Sequence, residues 1–292
     1  MQSTLPATEV PAVAPAPVAI GGMGGSGTRV VSAAAIALGV DMGSDLNRAL
    51  DNLGFTLLFK DQLAWTLPAD AFAWRTRIFA DAMAGNAPLS GEDLALLATL
   101  AATGRGGEDW VQHQPAWLAE RADRLAAMAA RPAQPGRRWG WKEPNTQVLL
   151  HRLEPLIPGL RYVHVSRDPL DMAFSRNTNQ MMFWGPQVLR RRVQPTPRDM
   201  LAFWCELDRR ARRMAEAMGR RYLRLEHAEL CASPVEQMAR LAGFLDADTA
   251  AAPELALLVR SPPTVGRHRG RSRDEFAQED LDYLASIGEA SH

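Results

Sequence analysis

Apolar and polar positions along most of the chain follow two alternating periods. Short apolar runs typical of buried strands are followed by longer segments whose apolar residues recur at helical spacing. The predicted strands are 17–22, 138–142, 160–166 and 221–226. The predicted helices are 27–38, 145–154, 169–180, 196–218 and 234–245. This alternation favours an α/β fold with a parallel central sheet flanked by helices.

The alternation stops between residues 46 and 130. This segment is alanine-rich with helical periodicity, so we expect a helical insertion after the first strand–helix unit. Its aromatic residues are Phe55, Phe59, Trp65, Phe72, Trp74, Trp110 and Trp117. Aromatic residues at such spacing are typical of helix packing, although an insertion at this point could also cover a ligand site.

Composition indicates the extent of the folded domain, the kinds of partner to expect and the cellular compartment. Residues 1–17 are rich in Ala, Pro, Val and Thr and predict a disordered lead-in, which leaves 18–292 as a single domain. The formal net charge is zero, which argues against a nucleic-acid or membrane-surface partner. No apolar stretch is long enough to span a membrane. Two cysteines, Cys205 and Cys231, imply no disulfide framework, so we expect a cytoplasmic protein.

A glycine-rich turn joins the first predicted strand to the first predicted helix. Gly22 and Gly27 have the spacing of a nucleoside-triphosphatase loop, but Thr28 and Arg29 follow where that loop has Lys and Ser/Thr. Glycines allow close approach to an anion, and the first N–H groups of a helix have no intrahelical partner. The turn therefore predicts phosphate binding without ATP–magnesium chemistry. The expected binding residues are Gly24, Gly25, Ser26, Gly27, Thr28 and Arg29.

A second motif follows the strand predicted at 160–166. Arg167-Asp-Pro leads into the helix predicted at 169–180, which would place Ser175 about two turns inside that helix. Together with the glycine-rich turn, this motif resembles the 3′-phosphate and 5′-phosphosulfate motifs of sulfotransferases, which use 3′-phosphoadenosine-5′-phosphosulfate (PAPS) as sulfonyl donor. The resemblance implies a P-loop-containing nucleotide-binding fold. It also implies that Arg167 and Ser175 bind the 3′-phosphate and that 3′,5′-adenosine bisphosphate (PAP) is the product.

A third segment, Trp139–Asn145, is similar to the Lys-x-Pro stretch that lies beside the transferred sulfonyl group in this family. Only two of the 33 basic residues are lysines, Lys60 and Lys142. A compact ammonium group can follow charge that moves onto the bridging oxygen better than a planar guanidinium can. The resemblance therefore implies a catalytic role for Lys142.

Four arginines lie in the predicted loop Gly266–Arg273. Similar Gly-Arg-x-Arg segments close over the 3′-phosphate in bacterial and carbohydrate sulfotransferases, which implies cofactor contacts for Arg267 and Arg269. A run of arginines is also typical of a solvated face or a nucleic-acid patch, and these alternatives stay open.

The chain departs from the family at two positions. Gly25 stands where many members carry Lys or Arg, so Arg29 or Lys142 must supply that charge, and the resemblance favours Lys142. Glu143 stands where many small-phenol enzymes carry a histidine base. The base is then expected to be a carboxylate, either Asp45 or Glu143, with Asp45 preferred. A helix-capping role for Asp45 is an equally supported alternative.

The resemblance implies an enzyme, a PAPS-dependent sulfotransferase that acts by in-line displacement and requires no metal. The acceptor would be a hydroxyl or amine of a carbohydrate or small metabolite, contacted by the insertion at 46–130 or by the segment at 176–194. A P-loop small-molecule or nucleotide kinase is the alternative enzyme, although Thr28 replaces the lysine that it needs. A non-catalytic protein that binds the bisphosphate or nucleic acid is a third possibility. The sequence carries no indication of oligomeric state.

Overall fold

The computed structural model describes residues 16–85, 88–103, 114–132, 134 and 136–289. The lead-in predicted at 1–17 therefore lies almost wholly outside the described residues, as does Trp110. Among the described residues, no helix has the length and apolar character needed to cross a bilayer.

A parallel four-stranded sheet forms the centre of the fold. The strands are β1 Val18–Gly21, β2 Gly140–Lys142, β3 Arg161–Ser166 and β4 Tyr222–Glu226, in the spatial order β2-β1-β3-β4. Because all strands run in one direction, their carboxyl ends meet at one edge of the sheet. The register, which pairs Ile20 with Lys142 and with Val163, brings the glycine-rich turn and the two other motifs to that edge.

Helices cover both faces of the sheet. In chain order they are α1 Thr28–Ala37, α2 Leu53–Phe59, α3 Ala69–Ala84, α4 Gly91–Ala102, α5 Pro115–Ala129, α6 Thr146–Leu153, α7 Pro169–Ala173, α8 Asn179–Leu189, α9 Pro197–Met218, α10 His227–Ala232, α11 Pro234–Phe244, α12 Ala252–Ala256 and α13 Gln278–Glu289. Alternate strand residues point to opposite faces. Val18 and Ile20 of β1 pack with α1 and α11, while Ala19 packs with the larger cluster that includes the inserted helices. The predicted α/β fold, with its helical insertion, is confirmed.

Most of the described aromatic residues of the insertion belong to this larger core or pack against it, whereas Trp74 is 37% exposed. Phe55, Phe59 and Phe79 are fully buried. The Phe55 ring stacks on Trp141 of β2 with 6.1 Å between centroids, and Phe79 meets the same indole edge-on at 5.2 Å. The insertion is thus anchored to the sheet by ring packing, directly next to Lys142 at the end of β2.

The prediction of one continuous helix at 169–180 is wrong. The structure ends α7 at Ala173 and begins α8 at Asn179, so Ser175 lies in the connection and not two turns inside a helix. Polar side chains in the connection bond to nearby backbone groups instead of allowing the helix to continue. The Ser175 hydroxyl accepts a hydrogen bond from the Asn177 N–H at 3.2 Å, and the Asn177 side chain accepts one from the Asn179 N–H at 3.4 Å.

Candidate active site at the carboxyl edge of the sheet

The glycine-rich turn follows β1 and leads directly into α1. Gly22, Gly25 and Gly27 have φ values of +154°, +98° and +102°, a region that favours glycine. A Cβ atom on Gly22 would lie 2.2 Å from the Val165 carbonyl oxygen of β3. The close approach of the two backbones fixes the turn. No described side chain caps the N-terminus of α1, which begins directly after Gly27. This geometry suits an anion at the first N–H groups of α1.

The hydroxyl-bearing residues of the turn differ from its arginine in exposure. Ser26 is 1% exposed, and its Oγ has no hydrogen-bond partner among the described residues. Thr28 is also buried, whereas Arg29 is exposed on α1. A buried hydroxyl without a partner carries a free-energy cost that a bound ligand can remove.

Arg167 follows β3 and links two separate segments. One guanidinium nitrogen donates to the Gly25 carbonyl oxygen at 3.1 Å, and the other donates to the Thr264 hydroxyl at 3.0 Å. Trp204 of α9 donates to the Arg167 carbonyl oxygen at 3.1 Å. The side chain is buried, and its Nε has no partner in the described part of the chain. Arg167 is therefore a fixed cation with one donor still available.

The arginine loop lies against this motif. Asp171 of α7 accepts a hydrogen bond from the Gly266 N–H at 2.8 Å, and its other oxygen lies 2.8 Å from His268 Nδ1. Burial, followed by the charge of Arg167, lowers the pKa of Arg267, so these two guanidinium groups are electrostatic neighbours. Arg269 is exposed and packs over Gly266 of its own loop.

Ser175 lines a cleft of about 420 Å³ together with Phe174, Arg176, Thr178 and Arg271. The cleft lies beside the arginine loop, because the Arg271 guanidinium lies 5.7 Å from the centroid of the Phe174 ring. Ser175 thus has a basic and partly aromatic environment, although it has left the helix that the sequence predicted.

Lys142 ends β2 and is almost completely buried. Its Nζ donates to the Ala49 carbonyl oxygen at 3.0 Å and forms an ion pair with Asp51. The other Asp51 oxygen accepts a hydrogen bond from the Asn47 side chain at 2.9 Å. Sequence reasoning missed Asp51, because it belongs to no motif and lies 91 residues from its lysine.

Glu143 lies beside Lys142 but has different partners. Its two oxygens accept hydrogen bonds from the Asn145 backbone at 2.6 Å and the Asn145 side chain at 2.8 Å. Burial and then the charge of Asp51 raise the pKa of Glu143 to about 7, against the opposing charges of Lys60 and Lys142. Both lysines of the chain therefore act on this carboxyl group.

Gln180, in the first turn of α8, joins two of the motifs. Its Oε1 accepts a hydrogen bond from the Gly24 N–H at 3.1 Å, and its Nε2 donates to the Pro144 carbonyl oxygen at 3.0 Å. One turn later, Trp184 donates to the Asn145 side chain at 3.0 Å. The sequence placed this segment near the acceptor, but nothing in the pattern indicated that Gln180 connects the glycine-rich turn to the Lys-Glu-Pro stretch.

Asp45 lies in a separate ion-pair cluster. Its oxygens lie 3.2 Å from Arg121 Nε and 3.1 Å from an Arg124 nitrogen, both on α5. Burial raises the pKa of Asp45, while the two arginines lower it to a smaller extent. Among the described contacts of its side chain, none is with Lys142 or Glu143. The Asp45 side chain is therefore directed to α5, although its backbone lies near β2. The Leu53 N–H donates to the Asp45 carbonyl oxygen at 2.9 Å, and the preceding Asn52 N–H donates to the Lys142 carbonyl oxygen at 2.8 Å.

A parallel sheet whose first strand enters a glycine-rich turn with the Gly22-x4-Gly27 spacing, followed by a helix N-terminus, is typical of the P-loop-type nucleotide-binding fold. Within that class, residues 17–251 match the model of the sulfotransferase family. The chain belongs to this family and is a sulfotransferase, as the resemblance implied. Comparison with curated proteins gave no match.

Three solved structures are similar to the chain at low identity. The sulfotransferase domain of the Synechococcus PCC 7002 olefin synthase is 16% identical, with a TM-score of 0.48 over 99% of this chain and 98% of its own. A Mycobacterium avium sulfotransferase is 16% identical, with a TM-score of 0.46 over 96% and 77%. Retinol dehydratase, solved with retinol and PAP, is 15% identical, with a TM-score of 0.39 over 94% and 82%.

Proposed function

We propose that this sulfotransferase moves a sulfonyl group from PAPS to the hydroxyl or amine of a carbohydrate or other small-molecule acceptor. One observation carries the choice of donor. Arg167 is buried, is held between Gly25 and Thr264, and retains an unpartnered Nε at the edge of the sheet where the glycine-rich turn begins. A buried guanidinium with a free donor suits a phosphate group, and a second phosphate distinguishes PAPS from AMP.

The residues at this edge fit the two ends of such a donor. The turn Gly24–Arg29 would hold the 5′-phosphosulfate at the N-terminus of α1, where the Ser26 hydroxyl is also without a partner. Arg167 would bind the 3′-phosphate, with Ser175 and the arginines Arg267 and Arg269 around it. PAPS supplies the sulfonyl group, which leaves the bridging oxygen and bonds to the acceptor.

Lys142 and a carboxylate would carry the proton and charge changes of the transfer. The Lys142 ammonium would stabilise negative charge on the departing oxygen. For the base we favour Asp51 over the sequence candidates Asp45 and Glu143, because it contacts Lys142 and is 20% exposed. Both oxygens of Asp51 also have partners, but Asp45 and Glu143 are buried, so Asp51 is the most accessible of the three carboxylates. A base must lie within hydrogen-bond reach of the acceptor.

The inserted helices and the segment at 176–194 would form the acceptor pocket. The loop that carries Asp51 leads straight into α2, and Gln180 of α8 contacts both the turn and the Lys-Glu-Pro stretch. These elements surround the Lys142 end of β2.

Calorimetric titration of the purified protein tests the donor. PAP, 5′-AMP and ATP are titrated with and without magnesium, first into wild type and then into Arg167→Lys and Arg167→Ala. Arg220→Ala is the matched control, because Arg220 is exposed and precedes β4 at the opposite edge of the sheet. It removes the same charge without touching the proposed site.

We expect PAP to bind at least about tenfold more tightly than AMP, with that preference lost in Arg167→Ala and kept in Arg220→Ala. Release of PAP from PAPS in the presence of an acceptor panel then identifies the acceptor class. Preference for ATP–magnesium would contradict the proposal and favour the kinase alternative. Binding of no nucleotide by the folded protein would contradict it as well.

A further inference from the structure

The arginine loop is fastened to α7 through one carboxylate. Asp171 is 2% exposed and accepts hydrogen bonds from the Gly266 N–H at 2.8 Å and the His268 N–H at 3.4 Å. The His268 ring, at 2.8 Å from Oδ1, is its third partner in the loop. A carboxylate that receives several donors holds them more strongly than a neutral acceptor can.

The same carboxylate also faces the proposed 3′-phosphate site. Arg167 lies 3.7 Å from Asp171 and bonds the Thr264 hydroxyl at the start of the loop. Hydrogen bonds from His268 and from the loop N–H groups hold the pKa of Asp171 below its usual range, against the effect of burial. Asp171 is therefore an anion placed between two cationic segments, the Arg167 turn and the arginine loop.

We propose that Asp171 is a positioning residue that docks the loop Thr264–Arg273 beside Arg167 and so makes the protein select a 3′-phosphate. The inference rests on the proposed function. Without Asp171, Arg167 and Arg267 would repel each other, and the charge of Arg167 already lowers the pKa of Arg267. Docking by Asp171 offsets this repulsion before any ligand arrives.

Two opposite effects of removing the carboxylate must be weighed. Asp171→Asn takes one negative charge away from an anion site, which favours phosphate binding. It also releases a loop that carries four arginines and whose docking depends on three contacts with Asp171. Released arginines must pay ordering entropy when the ligand binds. The loss of docking is the larger effect, so we expect weaker PAP binding.

Limited proteolysis measures docking without any ligand. Trypsin can cleave after Arg267, Arg269, Arg271 and Arg273, and mass spectrometry locates each cut. For Asp171→Asn we expect cleavage in this loop to become about tenfold faster, because cleavage tracks the population of the undocked loop. His268→Ala, which keeps the Gly266 contact, should give a smaller increase. Asp199→Asn is the control, since Asp199 is a buried carboxylate that accepts the Gln194 N–H on another segment.

The second measurement is the ratio of PAP to AMP affinity. We expect Asp171→Asn to lower PAP affinity about tenfold and to leave AMP affinity unchanged, because only the 3′-phosphate contacts are affected. Thermal melting confirms that each variant is folded, and His268→Ala serves if Asp171→Asn is not.

The outcomes separate this inference from the proposed function. If wild type binds PAP selectively but cleavage and selectivity are unchanged in Asp171→Asn, the positioning role is wrong and the proposed function stands. A rise in PAP affinity in Asp171→Asn would also overturn the positioning role. If wild type does not distinguish PAP from AMP while the loop still becomes cleavable, the docking contact is real and the proposed function fails.

Discussion

The ammonium group of Lys142 is paired with the carboxylate of Asp51, at the junction between the sheet and the inserted helices. The pair fixes a loop that also closes on itself, because the Asn47 side chain accepts the N–H groups of Ala49 and Asp51 at 2.8 and 2.9 Å. A lysine held in this way is preorganised, and its charge needs no rearrangement when negative charge develops nearby.

Replacing Lys142 by Met should remove catalysis while retaining the cofactor. We expect PAP release from PAPS to slow by about 10²–10³-fold, the usual effect of losing one preorganised stabilising group. PAP affinity should change much less, because the residues proposed to bind its phosphates do not include Lys142. Lys60→Met removes the only other lysine and should have a smaller effect. Equal losses in the two variants would show that Lys142 has no special role.

Replacing Asp51 by Asn tests the proposed base. The amide keeps the shape of the side chain but cannot take the acceptor proton, so we expect kcat to fall by about 10²–10⁴-fold. Glu143→Gln and Asp45→Asn, assayed in parallel, test the two sequence candidates. A larger loss of kcat in either of them than in Asp51→Asn would assign the base to that residue.

Glu143 should make stability depend on pH. Its pKa is raised from an ordinary 4.5 to about 7 by burial and by Asp51, so the folded state binds a proton that the unfolded state has lost. The stabilising contribution is complete below pH 4.5 and disappears as the pH rises through about 7. Relative to Glu143→Gln, wild type should lose free energy of unfolding across this range. Urea titrations between pH 4 and 8 measure it, and Glu216→Gln, on the exposed side of α9, controls for the charge. A constant difference would contradict the shift.

The glycine-rich turn should tolerate a methyl group at one glycine but not at another. Alanine at Gly22 places Cβ 2.2 Å from the Val165 carbonyl oxygen, so we expect a loss of about 3 kcal/mol or more in the free energy of unfolding. Alanine at Gly25 meets no atom within 4 Å and should cost only about 1 kcal/mol, for its positive φ. Chemical denaturation compares the two variants, and equal costs would show that the backbone approach is unimportant.

Asp45 should contribute to stability through the inserted helices. Asp45→Ala leaves the buried Arg121 of α5 without this ion-pair partner, and breaking a buried pair costs about 3–5 kcal/mol. Asp81→Ala breaks an exposed pair with Arg77 and should cost about 0–1 kcal/mol. Thermal and urea unfolding measure both variants. A loss no larger than that of Asp81→Ala would show that the cluster is unimportant.

The sequence predicted what is encoded locally. Strand ends, the glycine-rich turn and the motif at Arg167 are continuous segments, and the fold class and family were therefore predicted correctly. The break between α7 and α8 was missed, because it depends on the side chains of Ser175 and Asn177, which form hydrogen bonds with backbone N–H groups that a continuous helix would use. The helix α8 was not predicted either, and it contains Pro186, a residue that is unfavourable inside a helix.

Contacts between distant segments could not be predicted in the same way. Asp45 is separated from Arg124 by 79 residues, and Lys142 from Asp51 by 91. A carboxylate that pairs with arginines on an inserted helix has the same sequence appearance as a free one. The assignment of Lys142, Asp45, Glu143 and the cofactor-binding residues stays a prediction, which the variants above test.

The confinement of lysine to one region has a practical consequence. Lys60 and Lys142 both act on the carboxyl group of Glu143, and every other basic side chain that is ionised throughout the neutral range is a guanidinium. Reagents that acylate lysine side chains can therefore modify only two such positions, and Lys60 is the more accessible of them because Lys142 is buried. A single fluorophore or crosslinker on Lys60 would leave the Lys142 ammonium group unmodified, without the removal of competing surface lysines that most proteins require.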